Sequence, residues 1–197
     1  MLKRIFDIFF SLAGLIVLSP AVIVLMLFIK ITSTGPIFYN GVRVGRYGKP
    51  FIMYKFRTMI KNADKMGATS TAADDMRITE FGAFLRKYRL DELPQLMNVL
   101  KGEMSFVGPR PQVPWAVELY TEEEKTILTV RPGITDWASL WDLDEGEVLR
   151  GSKNPDEDYM KKIHPTKMKL ALQYVGNNSF LIDLKIIIMT IKKIFFG

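Results

Sequence analysis

The chain has 197 residues, of which 48% are hydrophobic, and a formal net charge of +6. This length suits one globular domain with a small appendage. There is no cysteine and only one histidine, His164, so disulfides, thiolate metal sites and a multi-histidine metal centre are excluded. Chemistry would depend on carboxylates, lysines and arginines. A basic surface suits nucleic acid, anionic lipid or phosphorylated small substrates, and charge alone does not choose among them.

The first predicted element is an apolar segment, residues 8–29, which contains no charged residue. A membrane-spanning helix needs roughly 20 such residues. A signal peptide would have a shorter apolar stretch and a small-residue cleavage site, and neither is present. The remaining alternatives are a helix that crosses the bilayer and a helix that enters it and turns back.

The dipeptide Ser19–Pro20 interrupts this segment near its middle. Proline removes one helical hydrogen bond, and the freed carbonyl of Ile16 needs another partner in hydrocarbon, for which the Ser19 hydroxyl is a candidate. Basic residues flank both ends, with Lys3–Arg4 before and Lys30 after. Because basic flanks prefer the cytoplasmic side, we favour a helix-break-helix wedge with both ends on one face. A kinked ordinary span remains an alternative.

Short elements follow in the middle of the chain. We expect a strand at 37–39, a glycine-rich connection at 41–48 and a second strand at 51–59, and the two strands could form a hairpin. Residues 61–75 predict a surface loop or short helix. Helical spacing of large apolar residues extends over 79–101.

The last third of the chain mixes loops and helices, with no internal repeat. The pattern predicts, in order, a rigid proline-rich loop at 106–114, a helix at 115–128, a strand at 134–140, an acidic loop at 142–158, an amphipathic helix at 164–174 and an apolar core or interfacial helix at 180–196.

Two adjacent carboxylates, Asp91 and Glu92, follow Arg86 and Arg89. On a continuous helix these carboxylates would point about 100° apart. They converge more easily at a helix start, which Pro94 permits, and Asp91 would then be the N-cap. Such a site favours a nearby phosphate. The alternative is a solvated cluster of ion pairs on an ordinary helix. Taken alone, this local sequence favours the solvated cluster.

Further cations form candidate phosphate sites. Arg110 stands between two prolines that restrict its backbone, which suits a rigidly placed guanidinium. Lys55 and Arg57 would share one face of a strand. Arg131 precedes a Pro-Gly turn and is a weaker candidate. A proline-rich surface turn and a strand edge protected by charge remain the alternatives.

Several motifs together resemble the bacterial sugar transferase family, the small monotopic phosphoglycosyl transferases. The resemblance covers nearly the whole chain. The segments that carry it are Lys3–Asp7, the break at Ser19–Pro20, Tyr54–Met59, Leu90–Leu96, Asn98–Pro111 and Val130–Thr135.

The resemblance implies a mixed, helix-rich α/β fold. Residues 1–34 would form a re-entrant membrane helix with its break at Ser19 and Pro20. Residues 35–197 would form a small globular catalytic domain with short strands and interfacial amphipathic helices. The domain would lie on the cytoplasmic face of the bacterial inner membrane, in contact with membrane lipid.

The resemblance also implies the chemistry. Asp91, paired with Glu92, would attack the β-phosphorus of a UDP-sugar and expel UMP. Polyprenyl phosphate, in the form of undecaprenyl phosphate, would then take the phosphosugar from the aspartyl intermediate. Mg²⁺ is the implied cofactor, with Asp91 and Glu92 as its ligands. The candidate phosphate-binding residues, which rest on matching position alone, are Arg86, Arg110, Lys55, Arg57 and Arg131.

This sequence departs from many family members in its last third. Asp136–Ser139 replaces a Gly-Trp-Ala-Gln motif, and Ala171 stands where some members have an acidic residue. We expect residues 136–158 to help shape the sugar pocket. The sequence leaves open which sugar is transferred and whether the protein forms a homo-oligomer.

Two other functions compete with the enzyme. The first is a non-catalytic, membrane-anchored binding or scaffold protein that recruits anionic lipid or phosphorylated partners. The second is a nucleic-acid binder, which the absence of a dense Lys/Arg run with interleaved aromatics disfavours.

Overall fold

A computed structural model describes residues 1–141 and 145–196. Its first two helices are α1 (Leu2–Val17) and α2 (Ser19–Thr32), which meet at a bend of 61°. Within the described residues no single helix is long and apolar enough to cross a membrane, whereas this bent pair taken together meets both criteria. The break expected at Ser19–Pro20 is confirmed. Whether the pair re-enters the bilayer or spans it stays a prediction.

The serine beside the proline compensates for the break. The Ser19 hydroxyl donates to the carbonyl of Ile16 at 2.8 Å, which is the contact that the sequence suggested. Pro20 lies at the start of α2, where proline is tolerated because the first N–H groups of a helix have no intrahelical partner.

An antiparallel hairpin follows the helix pair. Strands β1 (Phe38–Val44) and β2 (Pro50–Phe56) pair from Phe38 opposite Phe56 to Val44 opposite Pro50. The predicted hairpin is confirmed, but the glycine-rich connection at 41–48 is too long. Gly41 pairs with Met53 inside the sheet, because cross-strand pairing outweighs the low strand preference of glycine.

The helical pattern at 79–101 folds as two helices and not as one. Helix α3 (Glu80–Lys87) begins at its N-cap Thr79, whose side chain accepts a bond from the N–H of Gly82. A 3₁₀ turn at Leu90–Glu92 separates it from α4 (Gln95–Lys101), whose N-cap is Pro94. Asp91 is therefore not a helix N-cap, and that expectation is wrong.

The expected helix at 115–128 and strand at 134–140 are also shorter than the sequence suggested. The first divides into α5 (Pro114–Glu118), α6 (Glu122–Lys125) and a 3₁₀ turn. The second is only β4 (Gly133–Thr135), which pairs in parallel with β3 (Ser105–Val107) and leads into a helix. Strand β3 overlaps the start of the region 106–114, which was expected to be a proline-rich loop.

The C-terminal region consists mainly of helices, and its elements are α7 (Trp137–Trp141), α8 (Glu145–Val148), α9 (Pro155–Asp158), a π-helical turn at Tyr159–Ile163, α10 (His164–Asn177) and α11 (Phe180–Phe196). The two helices expected at 164–174 and 180–196 are confirmed. Part of the expected acidic loop at 142–158 lies outside the described residues, and the described part contains α8 and α9. The mixed, helix-rich α/β class with short strands is confirmed.

The apolar core links the bent helix pair to the rest of the chain. Ile29 of α2, Phe56 of β2 and Leu85 of α3 are at most 1% exposed and form one cluster. Leu90 and Leu93, on either side of the two carboxylates, pack against this cluster. The turn that carries Asp91 and Glu92 therefore packs against a core cluster that includes Ile29 near the end of α2.

Candidate functional site

The carboxylate turn, residues 90–92, is set by an unusual backbone conformation. Arg89 has φ of 56°, the left-handed region that glycine or asparagine usually occupies at a helix end. Arg89 lies between the end of α3 and the carboxylate turn, in which Asp91 and Glu92 are buried, with 6% and 7% exposure. Two buried neighbouring carboxylates need compensating positive charge to stay ionised.

Two cations supply that charge. The Lys55 ammonium lies 2.8 Å from Glu92 Oε1 and 3.5 Å from Asp91 Oδ2. The Arg110 guanidinium donates to Glu92 Oε1 at 2.9 Å. Burial alone would raise the pKa of Glu92, but the charges of Arg110, Lys55 and Arg89 outweigh it and hold the pKa well below its usual range. Glu92 in turn raises the pKa of Arg110, so both groups are ionised at neutral pH.

Lys55 reaches the carboxylates because β2 is fastened to α4. The Asn98 side chain, which is fully buried, accepts from the N–H of Tyr54 at 3.0 Å and donates to the carbonyl of Ile52 at 2.7 Å. The sequence analysis gave Asn98 no role of its own. Its signal was an asparagine within the apolar pattern of the predicted helix, since a buried amide must find partners.

Arg110 is held by the neighbouring loop. Its N–H donates to Asp136 Oδ2 at 3.3 Å, and Asp136 also accepts from the N–H of Ser139 at 2.7 Å at the start of α7. The loop backbones meet closely, since a Cβ on Gly133 would lie 2.1 Å from the N of Gly108. The positioning role of Asp136 was missed, although an Asp just before a helix is a usual capping signal.

The other candidate phosphate-binding residues lie at different places. Arg86 donates to the Thr58 hydroxyl at 2.9 Å, and although burial lowers its pKa, the charge of Asp91 opposes that shift, so Arg86 lies beside the carboxylate turn. Arg57 instead donates to the carbonyl oxygens of residues 33 and 34, each at 2.9 Å, at the end of α2. Arg131 donates to the carbonyl of Gly102 at 2.9 Å.

The structure thus brings Asp91, Glu92, Lys55 and Arg110 together, with Arg86 next to them. Arg57 and Arg131 contact backbone elsewhere. Among the described residues no group of three or more acidic or histidine side chains could hold a metal ion. A buried carboxylate pair among cations that sit on a rigid loop and a strand is a site suited to phosphate groups. The fold and the site together are those expected of a phosphate-binding enzyme with a bent apolar helix pair.

Comparison with known proteins agrees with this class. The model of the bacterial sugar transferase family matches residues 1–197, so this chain belongs to that family. It is 37% identical to the uncharacterized sugar transferase EpsL of Bacillus subtilis, over 98% of this chain and 87% of the relative.

Two longer relatives have a named reaction. The chain is 35% identical to the UDP-N-acetylgalactosamine-undecaprenyl-phosphate N-acetylgalactosaminephosphotransferase of Aeromonas hydrophila, over 100% of this chain and 44% of the relative. It is 39% identical to the undecaprenyl-phosphate galactose phosphotransferase of Salmonella typhimurium, over 97% of this chain and 40% of the relative. The matched chain therefore spans less than half of these two proteins.

Proposed function

We propose that this protein transfers a sugar 1-phosphate from a UDP-sugar to undecaprenyl phosphate at a bacterial membrane and releases UMP. The observation that carries the proposal is the buried pair Asp91 and Glu92, neutralised by Lys55 and Arg110, in a turn that packs against the core cluster containing Ile29 of α2. Family membership and the reactions named for the relatives support the general reaction.

The first step is an attack by an Asp91 carboxylate oxygen on the β-phosphorus of the UDP-sugar. The bond from the β-phosphorus to the bridging oxygen breaks, and UMP leaves with that oxygen. A carboxylate nucleophile splits a difficult transfer into two easier steps. In the second step a phosphate oxygen of undecaprenyl phosphate attacks the same phosphorus, which regenerates the Asp91 carboxylate and forms the undecaprenyl diphosphate sugar.

The neighbouring charges give the two carboxylates different roles. Glu92 is engaged by both Lys55 and Arg110, at 2.8 and 2.9 Å, whereas Asp91 has only the longer 3.5 Å contact with Lys55. The more weakly paired carboxylate is the better nucleophile, which favours Asp91. Lys55, Arg86 and Arg110 would position the transferred phosphoryl group and neutralise its charge, and these two effects account for most of the catalysis of phosphoryl transfer.

Magnesium suits the donor set of this site. Mg²⁺ is usually bound by one or two carboxylates, with substrate phosphates and water as its other ligands, so it does not require a third acidic side chain. Asp91 and Glu92 supply two adjacent carboxylates. Bound there, Mg²⁺ would neutralise charge on the diphosphate.

Purified protein in detergent, supplied with Mg²⁺ and undecaprenyl phosphate, tests the proposal by UMP release from UDP-galactose, UDP-glucose and UDP-N-acetylgalactosamine. We expect turnover with at least one donor, its loss in Asp91→Asn, and its retention in the control Asp64→Asn, whose side chain is exposed. Without acceptor, mass spectrometry should find a phosphosugar on the peptide that contains Asp91. If no donor releases UMP, the alternative of a membrane-anchored scaffold gains support, and full activity in Asp91→Asn would refute the mechanism.

A further inference from the structure

The first turns of α1 hold the globular part of the chain through three charged side chains, which we name the N-terminal clamp: Lys3, Arg4 and Asp7. The sequence analysis used Lys3 and Arg4 as charges flanking the apolar segment, and it used Lys3–Asp7 as part of the family resemblance, but it gave none of the three side chains a contact. In the structure each of the three makes specific contacts with residues about a hundred positions further along the chain.

Asp7 contacts the strand that precedes Arg110. Its Oδ1 accepts from the Ser105 hydroxyl and from the N–H of Phe106, both at 3.1 Å. Asp7 is 2% exposed and Ser105 is fully buried, so water cannot easily replace these bonds. Among the described residues strand β3 pairs with β4 alone, and the N–H of Phe106 is satisfied by a helix side chain.

The other two clamp residues hold the flanks of the same region. The Lys3 ammonium donates to the carbonyl of Val107 at 2.8 Å and pairs with Asp183 at 2.6 Å. The Arg4 guanidinium donates to the carbonyl of Val99 at 2.6 Å near the end of α4. The clamp thus joins α1 to both the strand that precedes Arg110 and the helix that follows the carboxylate turn.

The path from Asp7 to the site is short and stiff. Only Gly108 and Pro109 separate β3 from Arg110. The N–H of Gly108 donates to the carbonyl of Thr135 at 3.1 Å, and the N–H of Gly133 donates to the carbonyl of Pro109 at 3.1 Å. A displacement at the start of β3 would therefore move the Arg110 side chain relative to Glu92.

We propose that Asp7 is a positioning residue, which fixes β3 against α1 so that Arg110 meets Glu92, and that the seating of the membrane helix thereby sets the phosphate-binding site. The proposal rests on the proposed function for its consequence in catalysis, while its structural part concerns the chain alone. Asp7 touches no reacting atom and acts through Arg110.

The test is a double-mutant cycle on UMP release from the best UDP-sugar, with Asp7→Ala, Arg110→Met and the double variant. A small displacement of a binding group can cost on the order of tenfold to a hundredfold in kcat/KM, so we expect a loss in this range for Asp7→Ala, with a raised KM. In the Arg110→Met background the same change should cost less than about twofold, because the positioned group is already gone. Losses that multiply in full would overturn the proposal.

Two further variants separate positioning from mere folding. Asp7→Asn keeps an oxygen that can accept from Ser105 and Phe106, and it should retain most of the activity; a loss equal to that of Asp7→Ala would overturn the geometric role. Ser11→Ala, one turn further along α1, removes a buried hydroxyl that bonds only within its own helix, to the carbonyl of Ile8, and should behave as wild type. If Asp7→Ala does not fold, Ser105→Ala takes its place in the cycle.

Hydrogen exchange of the backbone provides a readout that does not depend on turnover. Asp7→Ala should speed exchange of the amides at 105–111, and Ser11→Ala should not. If wild-type protein releases no UMP, the proposed function fails while this comparison still decides whether Asp7 fixes β3. Unchanged exchange at 105–111 in Asp7→Ala would overturn the inference even where the proposed function holds.

Discussion

Glu92 shows how charge determines the state of a buried residue at this site. Its carboxylate is 7% exposed, which by itself favours the protonated form. Arg110 and Lys55, at 2.9 and 2.8 Å, reverse that preference and lower its pKa. The arrangement is asymmetric, since Lys55 also reaches Asp91, while Arg110 contacts only Glu92 among the two.

Replacement of Arg110 by Met should destabilise the protein, because it leaves the buried Glu92 carboxylate with one fewer charged partner. We expect the free energy of unfolding at pH 7 to fall by about 1–3 kcal/mol, because one charged partner of a buried carboxylate is lost. The folded-state pKa of Glu92 is below its ordinary value of 4.5, so the pairing stabilises the protein fully above that pH and its contribution is lost as the pH falls further. The difference between wild type and Arg110→Met should therefore shrink below pH 4.5.

Urea unfolding in detergent micelles at pH 7 and at pH 3.5 measures both parts of this prediction. Lys125→Met is the control, since its ion pair with Glu122 is exposed and contributes little. A difference between Arg110→Met and wild type that grows as the pH falls would contradict the assignment of the low pKa to this pairing.

At the scale of elements, the buried Asn98 side chain joins α4 to the backbone of β2. Asn98 accepts from the N–H of Tyr54 and donates to the carbonyl of Ile52, and it also donates to Glu103 Oε2 at 2.7 Å. No apolar residue could satisfy these backbone groups. The distance between Lys55 and the carboxylate turn depends on this junction, because β2 carries Lys55 and α4 follows the turn.

Removal of this junction should destabilise the protein and weaken the site together. We expect Asn98→Ala to lower the free energy of unfolding by about 2–4 kcal/mol, since it leaves two buried backbone groups unpaired. Asn98→Asp should be at least as destabilising, because its carboxylate cannot donate to Ile52 and would face Glu103. Chemical unfolding checks both, with Met97→Ala, 42% exposed on the same helix, as a near-neutral control. An Asn98→Asp protein as stable as wild type would contradict this account.

Local sequence patterns predicted the elements that depend on neighbouring residues and not on tertiary contacts. The break at Ser19–Pro20 follows from proline geometry, and the helix predicted at 164–174 follows from helical periodicity. The division of 79–101 was not predictable in the same way, because it depends on Arg89 in a left-handed conformation that arginine does not favour. Tertiary packing of Leu90 and Leu93 against the cluster of Ile29, Phe56 and Leu85 overrides that preference.

The sequence predicted which residues form the site, but it predicted only part of their arrangement. Asp91, Glu92, Lys55 and Arg110 were all named from the sequence, and the structure brings them together. Arg57 had an equally good position beside Lys55, yet β2 ends at Phe56 and the Arg57 side chain contacts the end of α2. The contacts of an arginine side chain depend on residues that are distant in sequence, and a local sequence pattern does not predict those contacts.

At the scale of the whole molecule, the bent helix pair is joined to the globular part by packing and by hydrogen bonds. Ile29 of α2 shares a core cluster with Phe56 and Leu85, and the N-terminal clamp binds β3 and α4. Both ends of the apolar segment are therefore fastened to the globular part. A helix pair held in this way at both ends suits a wedge, whose start and finish lie on one membrane face.

The absence of cysteine from the sequence allows this topology to be tested without background labelling. Single cysteines at Leu2, before the bend, and at Lys49, after it, would both be exposed. In intact bacterial cells a membrane-impermeant maleimide should label neither, and after the cells are opened it should label both, because both positions would lie on the cytoplasmic face. An ordinary span would place the two positions on opposite faces, so labelling of one cysteine in intact cells would refute the wedge. Retained UMP release by each variant, if wild type has that activity, would confirm that the substitutions leave the fold intact.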